Sequence, residues 1–121
     1  MKRIWSVNDG RYFAVVTNVK EEQIGPENNI PVVKVYFRPT DNKNRLYDEK
    51  TICIFQRYDS SEENVSYKLM KLLDELKEDD IDCNRILKKA KDKKFVITIG
   101  EEKGYYNIVD IRLSKKRKQR V

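Results

Sequence analysis

A tyrosine between two cations stands out in a β-patterned run in the first third of this 121-residue chain. Lys34, Tyr36 and Arg38 alternate with apolar residues, so a strand would place all three on one face. An exposed tyrosine ring can stack on a nucleobase, and ammonium and guanidinium groups bind phosphates. The triplet therefore predicts a surface that binds bases and phosphates. The alternative is that Tyr36 is a packing residue, since tyrosine is common in strands anyway.

Four further residues of the same types lie in later β-patterned runs: Arg57, Tyr58, Tyr106 and Arg112. They would extend the surface if the fold brings their faces together. Which faces of these two runs point inward is ambiguous in the sequence. For each tyrosine, packing in the core is the competing interpretation.

Two basic clusters add candidate phosphate ligands. Lys88 and Lys89 precede the fourth long β-run, and Lys115, Lys116 and Arg117 open a basic C-terminal segment. The first cluster is alternatively a solvated turn balanced by the acidic stretch 78–82. The second is alternatively a solubilising tail, or a tail that itself attracts any polyanion without sequence preference.

Catalysis, metal binding and cofactor binding find little support. The chain has no histidine, which is the commonest general base and metal ligand, and its two cysteines alone make no standard zinc site. Its four glycines are scattered, so no phosphate-binding loop or dinucleotide fingerprint is present. We expect a protein that is not an enzyme and carries no metal or cofactor.

The order of elements predicts the fold class. Three β-patterned runs (11–19, 30–38 and 51–58) precede one amphipathic helix, and two more runs (94–99 and 105–113) follow it around a Gly-containing turn. Residues 21–29 read as a loop. This order predicts a mainly β, α+β protein with a five-stranded OB-fold-like barrel in the order β-β-β-α-β-β.

Capping residues and apolar spacing place the helix. Asp59, Ser60 and Ser61 offer N-cap oxygens, and apolar residues recur at spacings of three and four up to Leu76. Acidic residues then end the helix, and Asp82 is positioned to cap a short second turn. The predicted domain spans 1–114, and 115–121 form the basic tail.

Residues 87–110, LKKAKDKKFVITIGEEKGYYNIVD, carry a family resemblance. They resemble the ending of OB-fold single-strand-binding proteins of phages and mobile elements, and the similar order of elements spans 11–113. The resemblance implies single-stranded DNA binding by stacking and backbone electrostatics, in replication or recombination of a phage or mobile element. The basic C-terminus departs from the acidic tail by which many bacterial single-strand-binding proteins recruit partners.

A rival class of function is a protein-interaction or assembly module on the same barrel, with no nucleic-acid role. The pattern does not distinguish DNA from RNA as the partner, and exposed edge strands make a homo-oligomer plausible. No apolar stretch has the length of a membrane span or the form of a signal peptide, so we expect a cytoplasmic protein without a membrane partner.

Overall fold

The computed structural model describes residues 3–55 and 64–114, which form a mixed β-sheet and two helices. The strands are β1 (Ile4–Trp5), β2 (Gly10–Ile24), β3 (Ile30–Thr40), β4 (Leu46–Tyr47), β5 (Lys50–Phe55), β6 (Phe95–Glu102) and β7 (Tyr105–Leu113). Helices α1 (Val65–Leu72) and α2 (Cys83–Ala90) lie between β5 and β6 in the chain. The prediction of a mainly β, α+β protein is confirmed at this level.

Strand β2 is the centre of the sheet. It pairs antiparallel with β3 and β6, while β3 also pairs with β5 and β6 with β7. The hydrogen-bonded order is therefore β5, β3, β2, β6, β7, and the short parallel pair β1 and β4 is attached to the end of β3. Within the described residues no ladder joins β5 to β7, so the sheet is open at that seam, and α1 packs against both strands there.

The core lies on the inner face of this sheet, beneath the two helices. Alternate residues of the long strands point to it, as the two-residue period of a strand requires, except at the irregularities after Val16 of β2 and opposite Thr98 and Ile99 on β7. The rings of Phe37 and Phe95 meet edge to face at its centre, with centroids 5.6 Å apart. The other strand residues buried here include Ala14, Val16, Val19, Val33, Val35, Ile52, Ile54, Ile97, Ile99, Ile108 and Ile111.

Strand β2 is longer than predicted, because residues 21–24 belong to it rather than to a loop. They pair with residues 30–33 of β3, and the connection between the two strands has only five residues, Gly25 to Asn29. The Asn28 backbone N–H donates to the Gly25 carbonyl at 3.0 Å. Gly25 has φ +95°, a left-handed conformation that a residue with a Cβ adopts only with strain.

The first helix begins later than its sequence signals predicted. Its N-cap is Asn64, whose side-chain oxygen accepts a hydrogen bond from the backbone N–H of Ser66. The predicted caps Asp59, Ser60 and Ser61 lie outside the described residues. Asparagine is as good an N-cap as serine or aspartate, so local chemistry alone does not rank these positions.

The same helix ends before Leu76, although the apolar spacing continues to that residue. The backbone N–H of Glu75 donates to the Met70 carbonyl at 2.9 Å, and that of Asp74 donates to the Lys71 carbonyl at 3.1 Å. These two bonds, with Asp74 at φ +55°, form a Schellman motif that reverses the chain. The prediction of one helix is wrong, since Asp82 caps the eight-residue α2 rather than a short turn.

Candidate functional site

Strand β3 presents the predicted triplet on the outer face of the sheet. Lys34, Tyr36 and Arg38 are half-buried there, while Val33, Val35 and Phe37, which alternate with them, are buried in the core. The register brings Lys20 of β2 directly opposite Lys34, and its ammonium lies 5.5 Å from the centroid of the Tyr36 ring. We call Lys20, Lys34, Tyr36 and Arg38 the Tyr36 face.

The carboxylate of Glu22, a residue of β2, also lies on the Tyr36 face. The Tyr36 hydroxyl donates a short hydrogen bond to Glu22 Oε2, and Lys34 Nζ lies 3.6 Å from Glu22 Oε1. The hydrogen bond lowers the pKa of Glu22 and, because it stabilises the protonated phenol, raises the pKa of Tyr36 to about 12. Glu22 therefore stays ionised between two lysines and orients the tyrosine.

Arg38 is held more firmly than the two lysines. One guanidinium nitrogen donates to the Tyr47 carbonyl at 2.7 Å, and the other lies 3.8 Å from Glu49 Oε2. Thr17 also donates to that carboxylate oxygen, at 2.5 Å. Arg38 thus fixes β4 against β3, and its charge is partly compensated on the outer face.

Two neighbours of this face were missed by the sequence analysis. Lys20 could not be found, because its position depends on the register of β2 against β3. Phe55 ends β5, opposite Val32, and 41% of its surface is exposed on the outer face. Cys53 is on the same strand as Phe55 and lies opposite Lys34 of β3. Burial raises the pKa of the Cys53 thiol, so this thiol is a poor nucleophile.

Tyr106 and Arg112 lie on opposite faces of β7, although simple alternation would place them together. A β-bulge between Thr98 and Ile99 of β6 shifts the register, so that Ile108 and Asp110 flank the extra residue of β7. Tyr106 consequently packs against the core. Arg112 is exposed on the outer face, opposite Val96.

The two lysines of the α2 cluster also separate. Lys88 is exposed, whereas Lys89 donates to Glu75 Oε2 at 2.5 Å and to the Asp74 carbonyl at 3.2 Å. Lys89 therefore ties α2 to the end of α1. The remaining predicted site residues, Arg57, Tyr58, Lys115, Lys116 and Arg117, lie outside the described residues.

A groove of about 640 Å³ separates the β2–β3 hairpin from the connection between α1 and α2. Glu21, Asp79 and Asp80 give it negative charge, and Val32 and Ile81 give it apolar walls. It lies beside Glu22, at the edge of the Tyr36 face. Its charge is opposite to that of the lysines on the neighbouring strand surface.

Across residues 3–55 and 64–114, no group of three or more His, Cys, Asp or Glu side chains is placed to hold a metal ion. No helix of that part of the chain has the length and apolar character to cross a membrane. Comparison with protein-family models, with curated proteins and with solved structures gives no significant match.

Proposed function

We propose that this chain binds single-stranded nucleic acid on its Tyr36 face. The observation that carries the proposal is the placement of a tyrosine ring among three cations, Lys20, Lys34 and Arg38, on one outer sheet surface. A base that stacks on Tyr36 would bring its neighbouring phosphates within reach of these side chains. Stacking accepts any base, so such binding would be tolerant of sequence.

The topology supports an OB-like interpretation of the sheet. Five long strands follow the order β5, β3, β2, β6, β7, the helices come between the third and fourth of them in the chain, and α1 covers the open seam between β5 and β7. OB-folds bind oligonucleotides on the surface of their second and third strands, which correspond to β3 and β5. Tyr36 and the exposed Phe55 lie on that surface.

The cross-strand pair of Lys20 and Lys34 gives an independent physical reason to expect an anion on the Tyr36 face. Like charges directly opposite each other in an antiparallel pair destabilise the sheet. Glu22 compensates this repulsion only in part, because one carboxylate faces two ammonium groups. A phosphate would stabilise the pair further. In keeping with the sequence resemblance, we place this activity in the replication or recombination of a phage or mobile element.

The test is fluorescence anisotropy with labelled oligothymidylate of about 8 nucleotides, within the site size of one OB-fold. We expect Tyr36→Leu to weaken binding about 5- to 150-fold, which corresponds to the 1–3 kcal/mol that one stacked base contributes. Tyr36→Phe keeps the ring and retains most of the affinity. The matched control is Tyr105→Leu, which removes the most exposed tyrosine of the described chain from the first position of β7.

Duplex DNA of the same length completes the test. We expect weaker binding to duplex, since a paired base offers no free face to Tyr36. Equal affinity for duplex and single strand, or equal losses from Tyr36→Leu and Tyr105→Leu, would overturn the proposal. No binding of the wild-type chain at low salt would overturn it as well.

One observation favours the alternative of a protein-interaction module, namely the acidic groove beside the β2–β3 hairpin. Its charge and apolar walls suit a basic peptide. A synthetic peptide of residues 115–121, KKRKQRV, is a defined probe of that chemistry. Two results together would favour this alternative. The wild-type chain would bind the peptide but no oligonucleotide, and Asp79→Lys with Asp80→Lys would abolish the binding of the peptide.

A further inference from the structure

A second outward surface begins where the Tyr36 face ends. Phe13 and Ala14 are the two positions at which β2 pairs with β3 and β6 at once. Phe13 lies opposite Thr40 of β3 and opposite Val96 of β6, and the next outward residue across the sheet is Arg112 of β7. The outer surface is therefore continuous from β3 to β7 through Phe13.

This second surface combines apolar groups with cations. The Lys94 ammonium lies 5.0 Å from the centroid of the Phe13 ring, and Val15, opposite Arg38, is 40% exposed. Arg11 and Arg112 are both exposed beside them. We call Arg11, Phe13, Val15, Lys94 and Arg112 the Phe13 face. Neighbouring strands lie about 4.8 Å apart, so Arg112 is about 10 Å from Phe13 across β6.

The two faces differ in how their charge is compensated. On the Tyr36 face, Lys34 pairs with Glu22 and Arg38 with Glu49. On the Phe13 face the nearby carboxylate is Asp110, which pairs with Lys68 of α1 at 2.8 Å and whose pKa Arg11 also helps to lower. The side chain of Arg112 has no ion pair or hydrogen bond to any residue in ranges 3–55 and 64–114.

We propose that a single strand of nucleic acid continues from the Tyr36 face onto the Phe13 face. Val15 and the Phe13 ring offer apolar area for a base or sugar, while Arg11, Lys94 and Arg112 bind the phosphates that follow. This inference rests on the proposed function and adds a second subsite to it. It explains why the exposed side chains of Val15, Arg11 and Arg112 adjoin at the point where β2 passes from one strand pair to the other.

The test compares oligothymidylates of about 4 and about 8 nucleotides, because 4 nucleotides is the lower end of the site size of one OB-fold and the longer strand covers more of the two faces. The variant is Arg11→Gln with Arg112→Gln, two exposed residues whose replacement leaves the core intact. The matched control is Lys71→Gln with Lys77→Gln, which removes two exposed charges from the region of α1. The readout is the ratio of the two dissociation constants, together with the salt dependence of binding the longer strand.

Wild type should bind the longer strand more tightly than the shorter one, and the Arg11→Gln, Arg112→Gln variant should lose most of this gain. Its affinity for the shorter strand should fall less than twofold. Its salt slope for the longer strand should fall by about 1.4, the effect of two phosphate contacts with single strands. The control should keep the wild-type ratio. Equal ratios for the variant and the control would overturn the second subsite.

The same experiment separates this inference from the proposed function. If the shorter strand binds and Tyr36→Leu weakens it, the proposed function stands whatever the length ratio shows. If the arginine variant weakens the shorter strand and Tyr36→Leu does not, the Phe13 face is the primary site, and both the proposed placement and the path between the two faces are wrong.

Discussion

The Tyr36 hydroxyl donates a hydrogen bond to Glu22 across the β2–β3 pair. This bond joins an aromatic ring that could stack on a base to a carboxylate that repels phosphate. It also holds the ring in one orientation, so less rotational freedom is lost when a base stacks on it. Glu22 therefore positions the tyrosine, but it also places a negative charge beside Lys20 and Lys34.

The first prediction concerns this opposition. Glu22→Gln keeps a hydrogen-bonding side chain opposite Tyr36 but removes the negative charge, so single-stranded DNA should bind about three- to tenfold more tightly at low salt. The gain should shrink at high salt, because exposed charges are screened. Anisotropy titrations at two salt concentrations measure both effects. Glu27→Gln, in the β2–β3 turn, is the control, and an equal gain there would show that only net charge matters.

The second prediction concerns the ionisation of Tyr36. Its pKa of about 12 lies above the usual value of 10, so the Tyr36–Glu22 bond stabilises the fold below pH 10 and this stabilisation is lost as the pH rises towards 12. Alkaline absorbance titration should show a late phenolate transition that is absent in Tyr36→Phe. In Glu22→Gln the transition should move to lower pH. Identical transitions in wild type and Glu22→Gln would contradict the assignment.

Asp41 carries the third prediction. Burial alone would raise its pKa, but hydrogen bonds from the Arg45 backbone and side chain, the Tyr47 hydroxyl and the Lys43 backbone hold that pKa well below its usual value. The stabilisation is present above pH 4 and is lost as the pH falls through the lowered pKa. Acid unfolding of Asp41→Asn should therefore show a weaker pH dependence than that of wild type.

The single tryptophan reports on the Asp41 region. The Arg45 guanidinium carbon lies 5.0 Å from the centroid of the Trp5 ring, and the Trp5 carbonyl accepts from the Asp48 backbone at 2.9 Å. Trp5 fluorescence therefore follows the loss of this network on acidification. Asp48→Asn, an exposed neighbour, serves as the control. An unchanged acid midpoint and slope in Asp41→Asn would show that other carboxylates govern acid unfolding.

Two-residue alternation was sufficient to predict the outward placement of Lys34, Tyr36 and Arg38. It failed on β7, because the bulge opposite Thr98 and Ile99 places Tyr106 inside and Arg112 outside. A bulge depends on the pairing of two strands and leaves no local signal in a single strand. Lys20 was missed for the same reason, since its neighbours are set by register.

Helical spacing likewise predicted the apolar face of α1 but not its end. Leu76 continues the pattern, yet the chain reverses at Asp74 in a left-handed conformation. The buried carboxylate of Glu75, with no exposed surface, lies at this reversal and meets two cations of α2. Its partners lie 10 and 14 residues further along the chain, so no local pattern identifies them.

Glu75 gives the fourth prediction. Arg85 Nε lies 2.9 and 3.1 Å from its two oxygens, and Lys89 Nζ lies 2.5 Å from Oε2. Glu75→Gln should lower the free energy of unfolding by about 2–3 kcal/mol, since charge-assisted bonds to a buried group are lost while both cations keep some access to water. Urea unfolding measures this, and the exposed Glu78→Gln should change it by less than about 0.5 kcal/mol. Equal changes in the free energy of unfolding for Glu75→Gln and Glu78→Gln would mean that the ion pairs of Glu75 add no net stability.

The basic C-terminal segment gives the last prediction. Residues 115–121 contain five Lys and Arg residues, so a chain ending at Ser114 should bind all polyanions more weakly. If each of the five charges contacts a phosphate, the salt slope for single-stranded DNA falls by about 3.5. The preference for single strands over duplex should remain, because Tyr36 is still present. Loss of all binding in the shortened chain would place the interaction in the tail, and a retained preference that Tyr36→Leu removes would place it on the sheet.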